Sequence, residues 1–186
     1  MSSKAFLRTA TEAATRILGL ASVCAVAADE TLRPDVAEWL LIEGLWQTVS
    51  PKERAFLEAT AASEQDEINF SWRNEGLYFL GWALRLTEEL DPPREQKSTG
   101  TIPDQMPCPG ESVEGLIRSA GLRPAREIHQ ASEDLFDAHA WCRSAQNLGQ
   151  EERHGYDIEV ARERHYAANW LVCHEDAKWD SVATDT

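Results

Sequence analysis

Apolar residues recur at helical spacing along almost the whole chain, and the most apolar segment spans residues 70–86. Two stripes of this segment fall on different sides of one helix, which predicts a helix that is buried on both sides and central to the fold. The first stripe contains Leu77, Leu80 and Leu84, and the second contains Trp72, Phe79, Ala83, Leu86 and Leu90. No segment alternates between apolar and polar residues as a β-strand does, so the pattern predicts an all-α protein.

Signals for helix starts divide the chain into about seven helices. A Ser or Thr followed three residues later by an acidic residue is typical of a capping box, in which each side chain accepts from the other residue's backbone N–H. Such pairs are Thr9 with Glu12, Ser50 with Glu53 and Ser63 with Asp66. The predicted helices cover residues 12–28, 34–48, a short segment after 51, 72–86, 113–120, 124–147 and 157–173.

A segment rich in proline and glycine separates two groups of helices. It begins at Asp91-Pro92-Pro93, where paired prolines end the preceding helix, and continues to about Gly110. A connector of this length is unusual inside a compact domain and predicts either a strap across the surface or a lid. We therefore predict a single-domain helical bundle (1–186) with an N-terminal lobe (8–91), the connector (92–111) and a C-terminal lobe (112–186).

The run of small and apolar residues at 17–28 has the composition of either a leader or a core helix. Ala25-Val26-Ala27 resembles a signal-peptidase site, but Glu12 places an acidic residue before the run, where a leader would be basic. Glu12 and Arg16 stand one turn apart and are expected to form a pair that supports the helix. The run is too short to span a bilayer, so we predict a buried helix.

The composition indicates a globular protein with a strongly negative surface. The 186 residues carry a formal net charge of −14 with an isoelectric point near 4.7, and 42% of them are apolar. Such a surface should repel nucleic acids and anionic membranes and attract a basic protein partner. The four cysteines are scattered without a CxxC pair, which argues against a disulfide framework and predicts a reduced, cytoplasmic protein.

The last predicted helix carries charged and polar groups on a face that is otherwise small and apolar. Arg164 and His165 share this face with alanines, and Asn169 follows His165 by one turn. A buried guanidinium needs an acidic partner, and the candidate partners are Glu75, Asp134 and Asp180. These groups form either a buried polar network that fixes helix packing or a pocket that binds a ligand. The candidate binding residues are Arg73, Glu75, Asp134, Arg164, His165, Asn169, Trp170 and Asp180.

The sequence contains no recognisable catalytic motif, and we predict no catalytic residue, metal or cofactor. It has neither a Gly-x-Ser-x-Gly nucleophile motif nor a phosphate-binding glycine loop. A zinc site would require His139 and Cys142, one turn apart, to meet Cys173 and His174. Adjacent side chains diverge, so two buried thiols and two surface imidazoles are the simpler interpretation.

The C-terminal tail combines a large indole with a carboxylate. An indole on a frayed terminus would gain nothing from burial, so Trp179 is predicted to dock on the body of the protein. Asp180 is expected to accept from an arginine or from a backbone N–H near the last helix. The docked tail would then cover the face that holds His165.

Four short motifs near the C-terminus are the most distinctive of the chain: Glu163-Arg164-His165, Ala168-Asn169-Trp170-Leu171, Trp179-Asp180 and Thr184-Asp185-Thr186. They resemble the C-terminal signature of a bacterial family known as domain of unknown function 4272. The segment 50–57, the helix 72–86 and the block 122–141 are similar to further parts of the family. The resemblance implies a cytosolic bacterial protein and implies no reaction.

The acidic surface and the seven tryptophans favour a binding role over a catalytic one. We expect a binding or regulatory module that acts on a basic protein partner, and an immunity-type protein is one concrete version. The alternative is a small-ligand binder or enzyme with a polar site around Arg164, His165 and Asn169.

Overall fold

The computed structural model describes residues 6–98, 106–152 and 154–186. Within these ranges the protein contains eight α-helices, short 3-10 turns and no β-strand, which confirms the all-α bundle. The helices are α1 (Ala10–Ala28), α2 (Arg33–Ile42), α3 (Pro51–Glu58), α4 (Glu64–Ser71), α5 (Arg73–Ala83), α6 (Glu114–Ser119), α7 (Ala125–Asn147) and α8 (Ile158–Leu171).

The three predicted capping boxes start helices in the structure. Thr9, Ser50 and Ser63 each accept from the backbone N–H three residues later, and the acidic side chain at that position accepts from the capping residue's own N–H. Each box satisfies two of the backbone donors that a helix start leaves without partners. The starts of α1, α3 and α4 therefore follow from local sequence.

Helix α2 ends at Ile42 rather than at the predicted residue 48. Gly44 adopts a left-handed conformation with φ of 70°, and the backbone N–H of Leu45 donates to the carbonyl of Leu40 over 2.8 Å. This six-to-one hydrogen bond is a Schellman motif, which closes a helix end wherever glycine follows the cap. The apolar run continues past Gly44, and for that reason its periodicity hides the end of the helix.

Helices α1, α5 and α8 form the centre of the bundle. Helix α5 packs against both α1 and α8, and α7 covers the other side of α8. Ile17, Leu80 and Leu171 have no exposed surface. Of the described helices, α1 is long and apolar enough to cross a membrane by length and composition, a test that a core helix also passes. The structure confirms that the segment 17–28 lies in a buried helix.

The described parts of the connector lie against the helices. The carbonyl of Pro93 accepts from the backbone N–H of Asp157 over 2.8 Å, and the backbone N–H of Lys97 donates to the carboxylate of Glu75. Further on, the indole of Trp39 donates to the carbonyl of Glu111 over 2.8 Å. These bonds fit a strap across the bundle, and residues 99–105 lie outside the described part of the chain. The division into two lobes stays a prediction.

Arg8 joins the beginning of the described chain to its end. Its backbone N–H donates to the carbonyl of Leu171 over 2.9 Å, and its Nε donates to the carbonyl of Trp170 over 3.0 Å. Its Nη2 reaches the carbonyl of Ala177 over 2.7 Å. One side chain therefore holds the end of α8 and the tail against the start of α1.

Candidate functional site

The guanidinium of Arg164 lies in the core of the bundle. Its Nε donates to Glu75 Oε2 over 2.7 Å, and its Nη1 donates to the carbonyl of Asp91 over 2.6 Å. Its Cζ lies 4.8 Å from the centre of the Tyr78 ring. The predicted pair of Glu75 and Arg164 is confirmed, and it joins α5, α8 and the start of the connector. Neither side chain has exposed surface.

Arg73 and Glu163 form a second, half-buried ion pair between α5 and α8. Arg73 Nη1 donates to Glu163 Oε2 over 2.8 Å, and the Arg73 guanidinium lies 5.1 Å from the centre of the Tyr166 ring. Unlike Arg164, Arg73 keeps about a fifth of its side chain exposed. The pair lines a surface cleft and is open to a ligand.

The imidazole of His165 meets that of His139 at the interface of α7 and α8. The two Nδ1 atoms are 3.3 Å apart, and the edge of Phe136 contacts His165 at a ring separation of 5.5 Å. Burial above all, together with the neighbouring imidazoles of His139 and His174, lowers the pKa of His165 to about 4. Burial likewise lowers the pKa of His139. Both imidazoles are therefore neutral at pH 7. In this state the Nδ1 of one ring can donate a hydrogen bond to the Nδ1 of the other.

Asn169 connects α8 to the C-terminal tail. Its Nδ2 donates to the carbonyl of Ala183 over 2.8 Å. Asn169 and His165 line a pocket of about 430 Å³ together with His174 and Asp185. This pocket is the part of the predicted polar site that faces the surface.

The tail docks on the body, as the sequence predicts. Trp179 is 5% exposed and packs edge-on against Trp170 at a ring separation of 5.5 Å. Asp180 accepts from the backbone N–H of Lys52 over 3.0 Å, at the start of α3 and not near α8 as expected. A carboxylate there complements the positive end of the helix dipole. The tail also reaches the face that holds His165, because Asp185 lines the His165 pocket and the carbonyl of Ala183 accepts from Asn169.

Arg16 and Glu53 form a buried ion pair that the sequence analysis missed. Arg16 Nη2 donates to Glu53 Oε2 over 2.6 Å, and both side chains are at most 4% exposed. The predicted pair of Glu12 and Arg16 is wrong, because Glu12 caps Thr9 and lies 3.6 Å from Arg8. The true partners are 37 positions apart, so no helical spacing connects them. The available signal was a lone arginine within an apolar run.

Asp134 lies on the surface of α7, away from Arg164. It accepts from Gln130 Nε2 over 2.9 Å and lines a groove of about 290 Å³. We call this the acidic groove. Its lining consists of residues 90–93, Tyr156 and one face of α7, which contributes Ala131, Asp134, Leu135, Asp137, Ala138 and Trp141. The lining combines apolar side chains with three carboxylates, of which Asp91 is paired with Lys97 whereas Asp134 and Asp137 form no ion pair among the described residues.

Two lining residues of the acidic groove, Trp141 and Tyr156, belong to a stack of three aromatic rings. Trp141 and His154 lie 4.4 Å apart with planes inclined by 20°, and Tyr156 continues the stack 5.3 Å from His154. The carboxylate of Glu152 accepts from the backbone N–H groups of both His154 and Tyr156. The stack leaves Trp141 45% exposed, which is unusual for so large an apolar surface.

We find no site arranged for metal binding or for thiol chemistry in residues 6–98, 106–152 and 154–186. No group of three or more His, Cys, Asp or Glu side chains in these ranges is placed to hold a metal. Of the residues weighed for zinc, His139 contacts His165, and Cys142 lies 3.9 Å from the carbonyl of Tyr156. Burial raises the pKa of the Cys142 thiol to about 11, which makes it a poor nucleophile.

Comparison with protein families decides where this chain belongs. A family model described as Domain of unknown function (DUF4272) matches residues 2–182. The chain belongs to the DUF4272 family. No match was found among curated proteins or among solved structures.

The DUF4272 match includes every helix of the structure and extends through Trp179 and Asp180. The docked tail is therefore part of the DUF4272 domain and not an appendage to it. The acidic groove and the His165 pocket both lie within the matched residues, apart from Asp185 of the pocket.

Proposed function

We propose that this protein is a binding module that recognises a basic segment of a partner protein in the acidic groove. The observation that carries the proposal is the combination of apolar side chains, exposed aromatic rings and carboxylates in one groove. Lysine and arginine side chains need this combination, because their stems are apolar and their heads are charged.

The groove matches such a side chain in three respects. Leu90, Leu135 and Ala138 offer an apolar surface for the stem. Asp134 and Asp137 are exposed carboxylates near which a cationic head gains electrostatic energy. The exposed ring of Trp141 adds a cation–π contact, worth about 0.5–1 kcal/mol at a surface site.

The charge of the whole chain supports the same partner. A net charge of −14 steers a basic protein toward this surface and raises its association rate. The four cysteines are free thiols, which supports a reducing compartment, and we propose the bacterial cytosol as the place of action. An immunity-type or regulatory protein that sequesters a basic partner is the concrete form of this proposal.

A defined peptide tests the groove directly. Calorimetric titration with a short peptide of lysine, arginine and glycine should give binding that weakens as salt rises, whereas a peptide with glutamate in place of the basic residues should not bind. The Asp134→Asn/Asp137→Asn double variant should raise the Kd by up to about thirtyfold, since each lost charge contact is worth up to about 1 kcal/mol.

A charge-matched control separates the groove from the general negative field. Glu38→Gln/Glu58→Gln removes the same charge from exposed positions of α2 and α3. This control should bind the basic peptide like the parent. Equal weakening by both double variants would mean that net charge alone attracts the peptide, and the groove would lose its role.

The alternative function is a small-ligand binder or enzyme around Arg164, His165 and Asn169. His165 and Asn169 support it, because they line a surface pocket with His174 and Asp185. Arg164 does not support this alternative, because its side chain has no exposed surface. An Asp185→Asn variant combined with His174→Gln should lower the affinity of any ligand held in this pocket, which a metabolite screen by thermal shift would detect.

A further inference from the structure

A second concave site lies between α3, α4, α8 and the tail, on different residues from the acidic groove. This α3–α8 cleft has a volume of about 480 Å³. Its lining includes Glu53 of α3, Phe70 of α4, Trp72 at the start of α5, Arg73 and Trp179 of the tail. Cavities of this size, with aromatic walls and a few polar groups, are typical of small-molecule sites.

Two polar atoms of the cleft residues have no hydrogen-bond partner among the described residues. They are Glu53 Oε1, an acceptor, and Trp179 Nε1, a donor. Glu53 is 1% exposed and Trp179 is 5% exposed. Leaving a buried polar group without a partner costs about 1–3 kcal/mol, so two such atoms at one site indicate a ligand that supplies both bonds.

The charge of Glu53 is already balanced. Its Oε2 accepts from Arg16 Nη2 over 2.6 Å and from the backbone N–H of Ser50 over 2.8 Å. An ammonium group on the ligand would be repelled by Arg16, whereas a neutral donor would not. The remaining charges of the lining also nearly cancel: the acidic residues are Asp66, Glu163 and Asp180, and the basic residues are Lys52, Arg73 and Arg162.

We infer that the α3–α8 cleft binds a neutral polyhydroxy molecule, a sugar or a cyclic polyol. A hydroxyl group both donates and accepts, so the hydroxyls of one polyol can donate to Glu53 Oε1 and accept from Trp179 Nε1. The aromatic rings of Phe70 and Trp72 supply apolar surface for the C–H face of a sugar ring. Neither polar atom is exposed, so binding includes a small rearrangement of side chains at the floor of the cleft.

Nuclear magnetic resonance of the indole N–H groups tests this inference with glucose and myo-inositol as probes. The Trp179 signal, assigned by its loss in Trp179→Phe, should shift progressively with either compound, while the exposed Trp141 signal should not. Acetate and glycine serve as charged comparison compounds and should leave the Trp179 signal unchanged.

Two variants, each with phenylalanine in place of an exposed alanine, decide whether the cleft is the binding site. Ala55→Phe fills the cleft from an exposed position of α3, so the protein should fold and bind the probe at least about tenfold more weakly. Ala125→Phe places the same ring on an exposed position of α7, outside the cleft, and should bind like the parent. No shift of Trp179 with either probe, or equal binding by both variants, would overturn the inference. Neither result bears on the basic peptide and the acidic groove.

Discussion

Arg164 donates a hydrogen bond of 2.7 Å to Glu75 at a point where neither side chain has any exposed surface. Removing one partner leaves an isolated charge in the core, so Arg164→Ala should lower the free energy of unfolding by about 3–5 kcal/mol. Urea denaturation measures the loss. Arg162→Ala is the matched control, since the side chain of Arg162 on the same helix is 44% exposed and its pairs should be worth at most about 1 kcal/mol. Equal losses for the two variants would place Arg164 outside the core.

Acid should destabilise the protein through the histidine pair. The unfolded chain binds a proton at an ordinary histidine pKa near 6.5, whereas the pKa of folded His165 is about 4. Between these values the unfolded state binds more protons, so stability is complete above pH 6.5 and falls as pH falls toward 4. The loss from His165 reaches at most about 3 kcal/mol, and the lowered pKa of His139 acts in the same direction.

The measurement is the urea midpoint as a function of pH from 7 to 5, a range in which most carboxylates stay ionised. His165→Gln should flatten this profile, because the variant has no imidazole to protonate at the interface. His154→Gln, which removes an imidazole outside the interface of α7 and α8, should still lose stability in acid. A parent slope that persists in His165→Gln would assign the acid sensitivity to other groups.

Trp179 should contribute strongly to stability although it lies near the end of the chain. It is 5% exposed and contacts Trp170, Tyr166 and Arg16, so Trp179→Ala should cost about 3–5 kcal/mol. Truncation after Asp176 should cost at least as much. Trp141→Ala, which removes an indole that is 45% exposed, should have a clearly smaller effect. Thermal unfolding of the three proteins ranks these losses, and a truncated protein with the parent's Tm would show that the tail does not stabilise the fold.

Two glycines should respond in opposite ways to the same substitution. A Cβ atom on Gly76 would lie 3.4 Å from the nearest atom, the Ala167 Cβ, which is ordinary contact distance. Gly76→Ala should therefore stabilise α5 by about 0.5–1 kcal/mol through the higher helix propensity of alanine. Gly44 has a φ of 70°, so Gly44→Ala should destabilise the Schellman motif by about 1 kcal/mol. Chemical denaturation of both variants tests the opposite signs.

Local sequence patterns predict most of the fold because the determinants of these helices lie within a few residues. The capping boxes of α1, α3 and α4 are short-range patterns, and the structure confirms them. The predicted helix that carries the two apolar stripes is shorter than expected, because α5 ends at Ala83 and Arg85 is left-handed, so Leu86 and Leu90 lie beyond the helix. The end of α2 was predicted wrongly because Gly44 interrupts an apolar run whose periodicity continues beyond it. The spacing of apolar residues does not reveal a residue with a left-handed backbone conformation.

The candidate site was harder to predict because its contacts join distant segments. Glu75 and Arg164 were predicted as a pair because a buried arginine on the last helix required a carboxylate, but the same argument also suggested Asp134 and Asp180. The pair of Arg16 and Glu53 had no comparable signal in the sequence, apart from the expected burial of Arg16. The acidic groove depends on residues 90–93 lying beside α7, and nothing in the spacing of the chain specifies that neighbour.

The bonds of Arg8 bear on the order in which the chain folds during synthesis. The ribosome makes proteins from the N-terminus, yet the side chain of Arg8 finds its acceptors at Trp170 and Ala177. The acceptors of Arg8, which lies just before α1, therefore emerge from the exit tunnel only after nearly the whole sequence has been synthesised. Contacts of such long range slow folding, and until they form the start of α1 lacks its bonds to the end of α8 and to the tail.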